Sequence, residues 1–436
     1  MTDERVYRET ARMGEVNGDL IIEDGQVEAE NGKLRVTGVI RCERDCELIG
    51  EVEAAEVFSR NGDITVRGSL KAGKVELKDG RLNVTESLIS EETRVSKSLD
   101  IGGELQSDSV RVGGSLEVKG DVVAGRVKVG GTFHADRDSK VDYVEVGGSY
   151  SVYGKASSKS IEIGGTLKTG EIEAEDIDVG GTFSADGAVK AESVKVGGTV
   201  KLAGGTVKGR IDVGGTLKSS EYLEFGDINV GGTVKLENGG SGQLIDVGGT
   251  FSSDGALRFT RIDVGGTVKL EGGAEGEDLS VGGTLKSGGD FTLSNRLKVG
   301  GSVSVDGVLR IASVRVGGKI EADKIYAEQF IEASSISTRY GAKATRIEIE
   351  RKGTVRGPLV GEIITLKDRA EAEDIHADRI QLRGGCRAGN LYGRVIRIDS
   401  RCDVESVTYT EELRADDSVR IRNGSQKSEK LPEPPI

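Results

Sequence analysis

Tryptophan is absent from this 436-residue chain, and it has only four prolines, four cysteines, two histidines, eight phenylalanines and nine tyrosines. So few aromatics argue against the large, deep core of most enzymes. The shortage of proline excludes collagen, which needs proline and a strict three-residue glycine period. No run approaches the roughly 20 apolar residues that span a membrane as a helix. The N-terminus, Met1-Thr2-Asp3-Glu4-Arg5-Val6, lacks the apolar stretch of a secretory signal, so the expected location is the cytoplasm. A positive excess is missing too: 60 basic residues face 73 acidic ones, for a net charge of −13. That balance argues against nucleic acid as a partner and leaves membrane attachment without an evident basis, since both want a basic face.

Glycine is what the chain has in excess. Its 66 glycines are about twice the usual share of roughly 7%. Valine, isoleucine and leucine are too plentiful for a disordered chain. Glycine inside a helix costs about 1 kcal/mol relative to alanine, so a helical protein is disfavoured. What remains is an all-β chain with many corners.

A repeat organises those corners. The unit Val/Ile-Gly-Gly-Thr/Ser-apolar recurs with its first glycine at Gly102, then Gly113, and on to Gly317; after the first gap of 11 the spacing stays between 16 and 18. In Ile211-Asp212-Val213-Gly214-Gly215-Thr216-Leu217-Lys218, Ile211 and Val213 point one way and Asp212 the other, which is strand alternation. Glycine tolerates positive φ at a corner, which is the expected reason for Gly197, Gly198, Gly214, Gly215, Gly231 and Gly232. A second corner follows in most units, as at Asp186-Gly187 and Glu271-Gly272-Gly273. About 17 residues with three short strands and three corners describe one coil of a single-stranded, three-sided parallel β-helix, a β-solenoid. Equivalent residues then stack at about 4.8 Å. One expected core ladder runs from Ile101 and Val112 through Val179, Val196, Val213, Val230, Val247 and Val264 to Val316. Another runs from Leu105 and Leu116 through Phe133 and Tyr150 to Ile320.

The flanks keep the period without the motif. Ile347, Ile364, Ile380, Ile396 and Leu413 are spaced 17, 16, 16 and 17, and Val66, Leu82, Leu99 and Leu116 are spaced 16, 17 and 17. Asn17-Gly18-Asp19-Leu20-Ile21-Ile22 is echoed by Asn61-Gly62-Asp63-Ile64-Thr65-Val66. The expected organisation is an N-terminal tail (1–14), irregular coils (15–98), regular Val-Gly-Gly-Thr coils (99–318), glycine-poor coils (319–422) and a disordered proline-containing tail (423–436).

Catalytic signatures are missing. His134 and His376 fall in distant coils and share no site. No P-loop, zinc signature or calcium-binding glycine-rich nonapeptide array is present, so neither cofactor nor metal is expected. An enzyme of the polysaccharide lyase or acyltransferase kind would add long loops, for which the even spacing leaves little room. Cys386 and Cys402 lie one coil apart, within reach of a disulfide, although two buried thiols are the expected state in a reducing compartment. The segment Arg383–Arg401 is rich in arginine, and residues 319–436 hold 21 basic and 21 acidic residues, so the acidity lies elsewhere.

The 17-residue coil, the Val-Gly-Gly-Thr corners, the apolar ladders and the short proline-containing tail resemble the bactofilin family of polymer-forming cytoskeletal β-helix proteins. The resemblance implies a right-handed three-sided β-helix that polymerises end to end without nucleotide and acts as a non-enzymatic scaffold for cell shape or localisation. The chain departs from that family in length, since it would hold about two dozen coils. Independently, a solenoid ends in unpaired backbone groups. Leu20, Ile21 and Ile22 at one end, and Val419 and Ile421 at the other, are the expected polymer contacts, with further copies of the chain and protein clients as partners. A rigid adhesin-like or ruler-type binding module for a protein or polysaccharide is the alternative.

Overall fold

One coil shows how the pattern folds. In the computed structural model, which describes residues 3–436, the stretch from Gly113 to Val129 directs six side chains inward. Leu116 and Val118, Val122 and Ala124, and Val127 and Val129 are all buried, two on each of three sides. Glu117, Val123, Arg126 and Lys128 alternate with them and face solvent. Three corners separate the pairs. Gly113-Gly114 makes the first and Lys119-Gly120-Asp121 the second. At the third, the strand Val122–Val129 keeps its hydrogen bonding while two successive residues, Gly125 and Arg126, stay unburied and shift the inward phase.

The strands pair in parallel, coil on coil, throughout, and every regular element among the described residues is a strand. The fold is therefore a parallel β-solenoid. It divides into two compact units, Met1–Thr216 and Leu217–Ile436. In the first, one ladder reads Val6, Ile22, Cys42, Ser59, Leu77, Val95, Val112, Val129, Val146, Ile163, Val179, Val196 and Val213. In the second, Val230, Val247, Val264, Val281, Val299 and Val316 stack in the same way. The expected core valines Val179, Val196, Val213, Val230, Val247 and Val264 are all buried. Each such side chain contributes about 1.5–3 kcal/mol by leaving water. Ile347, Ile364, Ile380, Ile396 and Leu413 also stand in one register.

Size variation within the core is compensated locally. Val122 is followed one coil on by Ser139 and then Ala156. Tyr150 fills the space they leave, stacking on Phe133 with ring centroids 4.6 Å apart. Its hydroxyl donates to Ser139 Oγ at 2.7 Å.

Several details differ from the sequence expectation. Gly102-Gly103 is not the first of the Gly-Gly-Thr corners: Gly120 stacks over Gly103, Ile101 pairs with Val118, and Leu105 pairs with Leu88 and Val122. It occupies the second corner, which explains the initial gap of 11. Leu99, not Leu105, precedes Leu116 in its ladder. Val66 aligns with Val84 rather than Leu82. The Asn-Gly-Asp echo is not a structural repeat, because Leu20 stacks under Ile40 whereas Ile64 stacks on Cys46.

The segment expected as an N-terminal tail, leaving aside Met1 and Thr2, which lie outside the described residues, forms strands Glu4–Tyr7 and Thr10–Met13 against Leu20–Glu23 and Gln26–Ala29. Buried Val6 supplies the reason. In the expected C-terminal tail, Ser425–Lys427 is a strand on Val407–Tyr409, and Lys343 Nζ lies 3.4 Å from the Ile436 carbonyl. No boundary falls at residue 98, where Leu82, Leu99 and Leu116 stay in register, or at 318, inside the continuous strand Val303–Ile349. The change at those points is in the corner residues, not in the coil.

Candidate functional site

The corner glycines are explained by proximity rather than by φ. Among Gly197, Gly198, Gly214 and Gly215 none lies in the left-handed region. A Cβ on Gly197 would sit 2.3 Å from Gly180 O, one on Gly214 2.2 Å from Gly197 O, and one on Gly215 2.7 Å from Gly198 O. Gly231 and Gly232 present their carbonyls in the same way to Gly248 and Gly249, each at 2.5 Å from the added Cβ. Hydrogen bonds draw the corners together, with Gly214 N donating to Val196 O at 2.9 Å and Gly215 N to Gly198 O at 3.0 Å.

The expected polymer contacts separate into two groups. Leu20, Ile21 and Ile22 are not terminal: their strand is flanked by Glu4–Tyr7 on one side and Ile40–Cys42 on the other, and Leu20 and Ile22 are fully buried. Among the described residues, Glu4–Tyr7 is the strand at this edge, paired with Leu20–Glu23. There Glu4 N and Arg8 N donate inward, to Asp19 O at 2.9 Å and Glu23 O at 3.1 Å. Strand alternation turns the intervening Arg5 and Tyr7 backbone groups outward. At the other end, Arg420–Ile421 has Asp403–Val404 as its partner and Ser425–Lys427 has Val407–Tyr409, each on one side among the described residues. Val419 and Ile421 are half-buried there.

The histidines and cysteines have local partners. His134 Nε2 is 2.8 Å from Asp136 Oδ1, just past the end of its strand Thr132–Ala135. His376 stacks on Tyr392 with centroids 4.4 Å apart, and burial holds its pKa below the ordinary value against the opposing pull of Asp374. All four cysteines are free and buried. Burial, then the neighbouring Cys46, pushes the Cys42 thiol well up. Cys386 is likewise raised, first by its hydrogen bond to Cys402 and then by burial. Among the described residues, no group of three or more His, Cys, Asp or Glu is placed to hold a metal ion. No helix there is long and apolar enough to cross a membrane.

Sequence reasoning noticed the arginine-rich segment but not its geometry. Four successive coils turn the same corner at Arg351-Lys352, Asp368-Arg369, Gly384-Gly385 and Ser400-Arg401. The second residue of each pair is left-handed, with φ of 62° at Lys352, 62° at Arg369, 74° at Gly385 and 60° at Arg401. Lys352 N donates to Asp368 O at 3.0 Å, Arg369 N to Gly384 O at 3.0 Å and Gly385 N to Ser400 O at 2.9 Å. The turns are thus stacked in register. A non-glycine residue held there is strained by about 1–2 kcal/mol. The signal was available as a 17, 16, 16 spacing of Lys352, Arg369, Gly385 and Arg401, but only the backbone shows that these positions are turns.

Fold and surface together define a parallel β-solenoid whose first and last described strands pair on one side among the described residues, with a cationic corner on its surface. Comparison with protein-family models, curated proteins and solved structures gave no match.

Proposed function

We propose that the chain is a non-enzymatic, bactofilin-like cytoskeletal scaffold that assembles with further copies of itself through its open strand edges, in the cytoplasm and without nucleotide. The observation that carries this reading is that Glu4–Tyr7 and Ser425–Lys427 each pair on one side among the described residues. Parallel strands that pair on one side offer a row of donors and acceptors to another strand. The C-terminal coil adds half-buried Leu413, Val419 and Ile421, apolar surface that a further coil would cover. Protein clients would then bind the faces of the assembly.

Proline at Arg5 removes an outward N–H while leaving the inward bonds of Glu4 and Arg8 in place. Arg5→Pro and Ile421→Arg are expected to keep the circular dichroism of the wild type and to stop assembly. Sedimentation velocity over a concentration series, with negative-stain imaging, reads the result. A wild-type protein that stays monodisperse at the highest concentration defeats the proposal.

A further inference from the structure

The arginine corner is left over once assembly is considered, and it has the form of a built recess. Three coils place a long cationic side chain, Lys352, Arg369 or Arg401, at the left-handed turn position, where glycine is the unstrained choice. The coil between Arg369 and Arg401 carries Gly384-Gly385 instead. Packing does not demand the missing side chains. A Cβ on Gly384 would find no atom nearer than 3.7 Å, and one on Gly385 none nearer than 3.5 Å. The two glycines therefore floor an open notch, about two coil spacings or roughly 9.6 Å from Arg369 to Arg401 along the stack.

The notch belongs to a groove of 1150 Å³ lined by six arginines, Arg351, Arg369, Arg387, Arg397, Arg401 and Arg414, against four carboxylates. Two of those carboxylates are paired with arginine, Glu371 with Arg387 at 3.0 Å and Asp399 with Arg383 at 3.5 Å; Asp416 accepts from Ser418, and Asp368, whose Oδ1 lies 3.8 Å from where a Gly384 Cβ would be, is an acid beside the notch without an ion-pair partner among the described residues. Arg351, Arg369, Arg397 and Arg401 have no ion-pair partner among the described residues. Strained cations, unpaired guanidinium groups and a vacant floor coincide in one place, in a chain whose net charge is −13.

We infer that this notch binds clustered phosphoryl groups, as in an oligophosphate, seated over Gly384-Gly385 between Arg369 and Arg401. Guanidinium forks match tetrahedral phosphoryl oxygens in bidentate fashion. A single carboxylate would occupy one fork and leave the others unused. The span between the flanking arginines suits a ligand with more than one phosphoryl group. The site is independent of the assembly reading and stands whether or not the chain polymerises.

The test is calorimetric titration of the full chain with sodium tripolyphosphate, run on both the wild type and the Arg5→Pro variant, so that assembly does not enter. Saturable binding near one ligand per chain is expected. Arg369→Ala and Arg401→Ala should each weaken it roughly tenfold, the effect of one charge-assisted pair. Gly385→Arg separates shape from charge: it adds a cation but fills the notch, and binding should fall. Arg210→Ala, elsewhere on the surface, should bind as the wild type does. Vesicles containing phosphatidylglycerol provide a second arm. Capture that depends on Arg369 and Arg401 identifies a lipid headgroup as the phosphoryl source, and binding of tripolyphosphate alone identifies a soluble ligand. Absence of saturable binding, equal binding by the double variant Arg369→Ala/Arg401→Ala with unchanged circular dichroism, or tighter binding by Gly385→Arg overturns the inference.

Discussion

Gly197→Ala tests the reason for the repeat itself. If glycine were needed for a left-handed corner, alanine would meet backbone strain alone. Here the added methyl would lie 2.3 Å from Gly180 O, and neither atom belongs to a flexible side chain. Restoring an ordinary contact requires the two coils to separate locally by about 1 Å. Three bonds cross this corner: Gly197 N to Val179 O at 2.9 Å, Gly198 N to Gly181 O at 3.0 Å and Thr199 N to Gly181 O at 3.2 Å. Lengthened by that amount, all three leave hydrogen-bonding range. At about 1 kcal/mol each, the loss is on the order of 3 kcal/mol, or about a hundredfold in a local opening equilibrium. Solenoids open coil by coil rather than as one unit, so the assay is hydrogen exchange at the Gly197, Gly198 and Thr199 amides. Gly289→Ala is the control, since its Cβ meets nothing within 4 Å and its φ is not left-handed; it should be neutral or stabilise by about 0.4–1 kcal/mol. Unchanged protection in Gly197→Ala, or an equal loss in Gly289→Ala, refutes the reasoning.

Thr169 stacks between Val152 and Ala185, and its buried Oγ1 has no hydrogen-bond partner. Thr169→Val should therefore stabilise the fold by about 1 kcal/mol, seen as a higher denaturation midpoint; a lower midpoint counts against the packing described. His376 should titrate below 6.5, followed by NMR of its ring proton, and Tyr392→Ala should return it toward that value. Because its folded pKa lies below the unfolded one, the stability it contributes is complete above about pH 6.5 and falls as the pH drops through the folded value; a titration at or above 6.5 contradicts the burial beneath Tyr392. Protein denatured without reductant should show four reactive thiols per chain, whereas two would reveal a bridge between Cys386 and Cys402.

The sequence by itself determined the period, the alternation and the composition of the core. Those features repeat from coil to coil, and stacking forces equivalent residues into contact: the valine or isoleucine before each Gly-Gly-Thr/Ser corner meets its counterpart, and Ile347, Ile364, Ile380, Ile396 and Leu413 needed only their spacing to be aligned. What the tertiary structure decided was phase. Gly102-Gly103 and the Gly-Gly-Thr corners read alike as strings yet sit at different corners, because Ile101 pairs with Val118 and not with Val112. Leu20-Ile21-Ile22 looked terminal until Val6 and its strand were found packed beneath. Pattern fixes which residues face inward on one strand, but the side of the triangle on which that strand lies depends on backbone pairing with the coils before and after. The cationic corner was legible as composition only, since left-handed turns at Lys352, Arg369 and Arg401 exist because adjacent coils hold them in register, an interaction that no single stretch of chain contains.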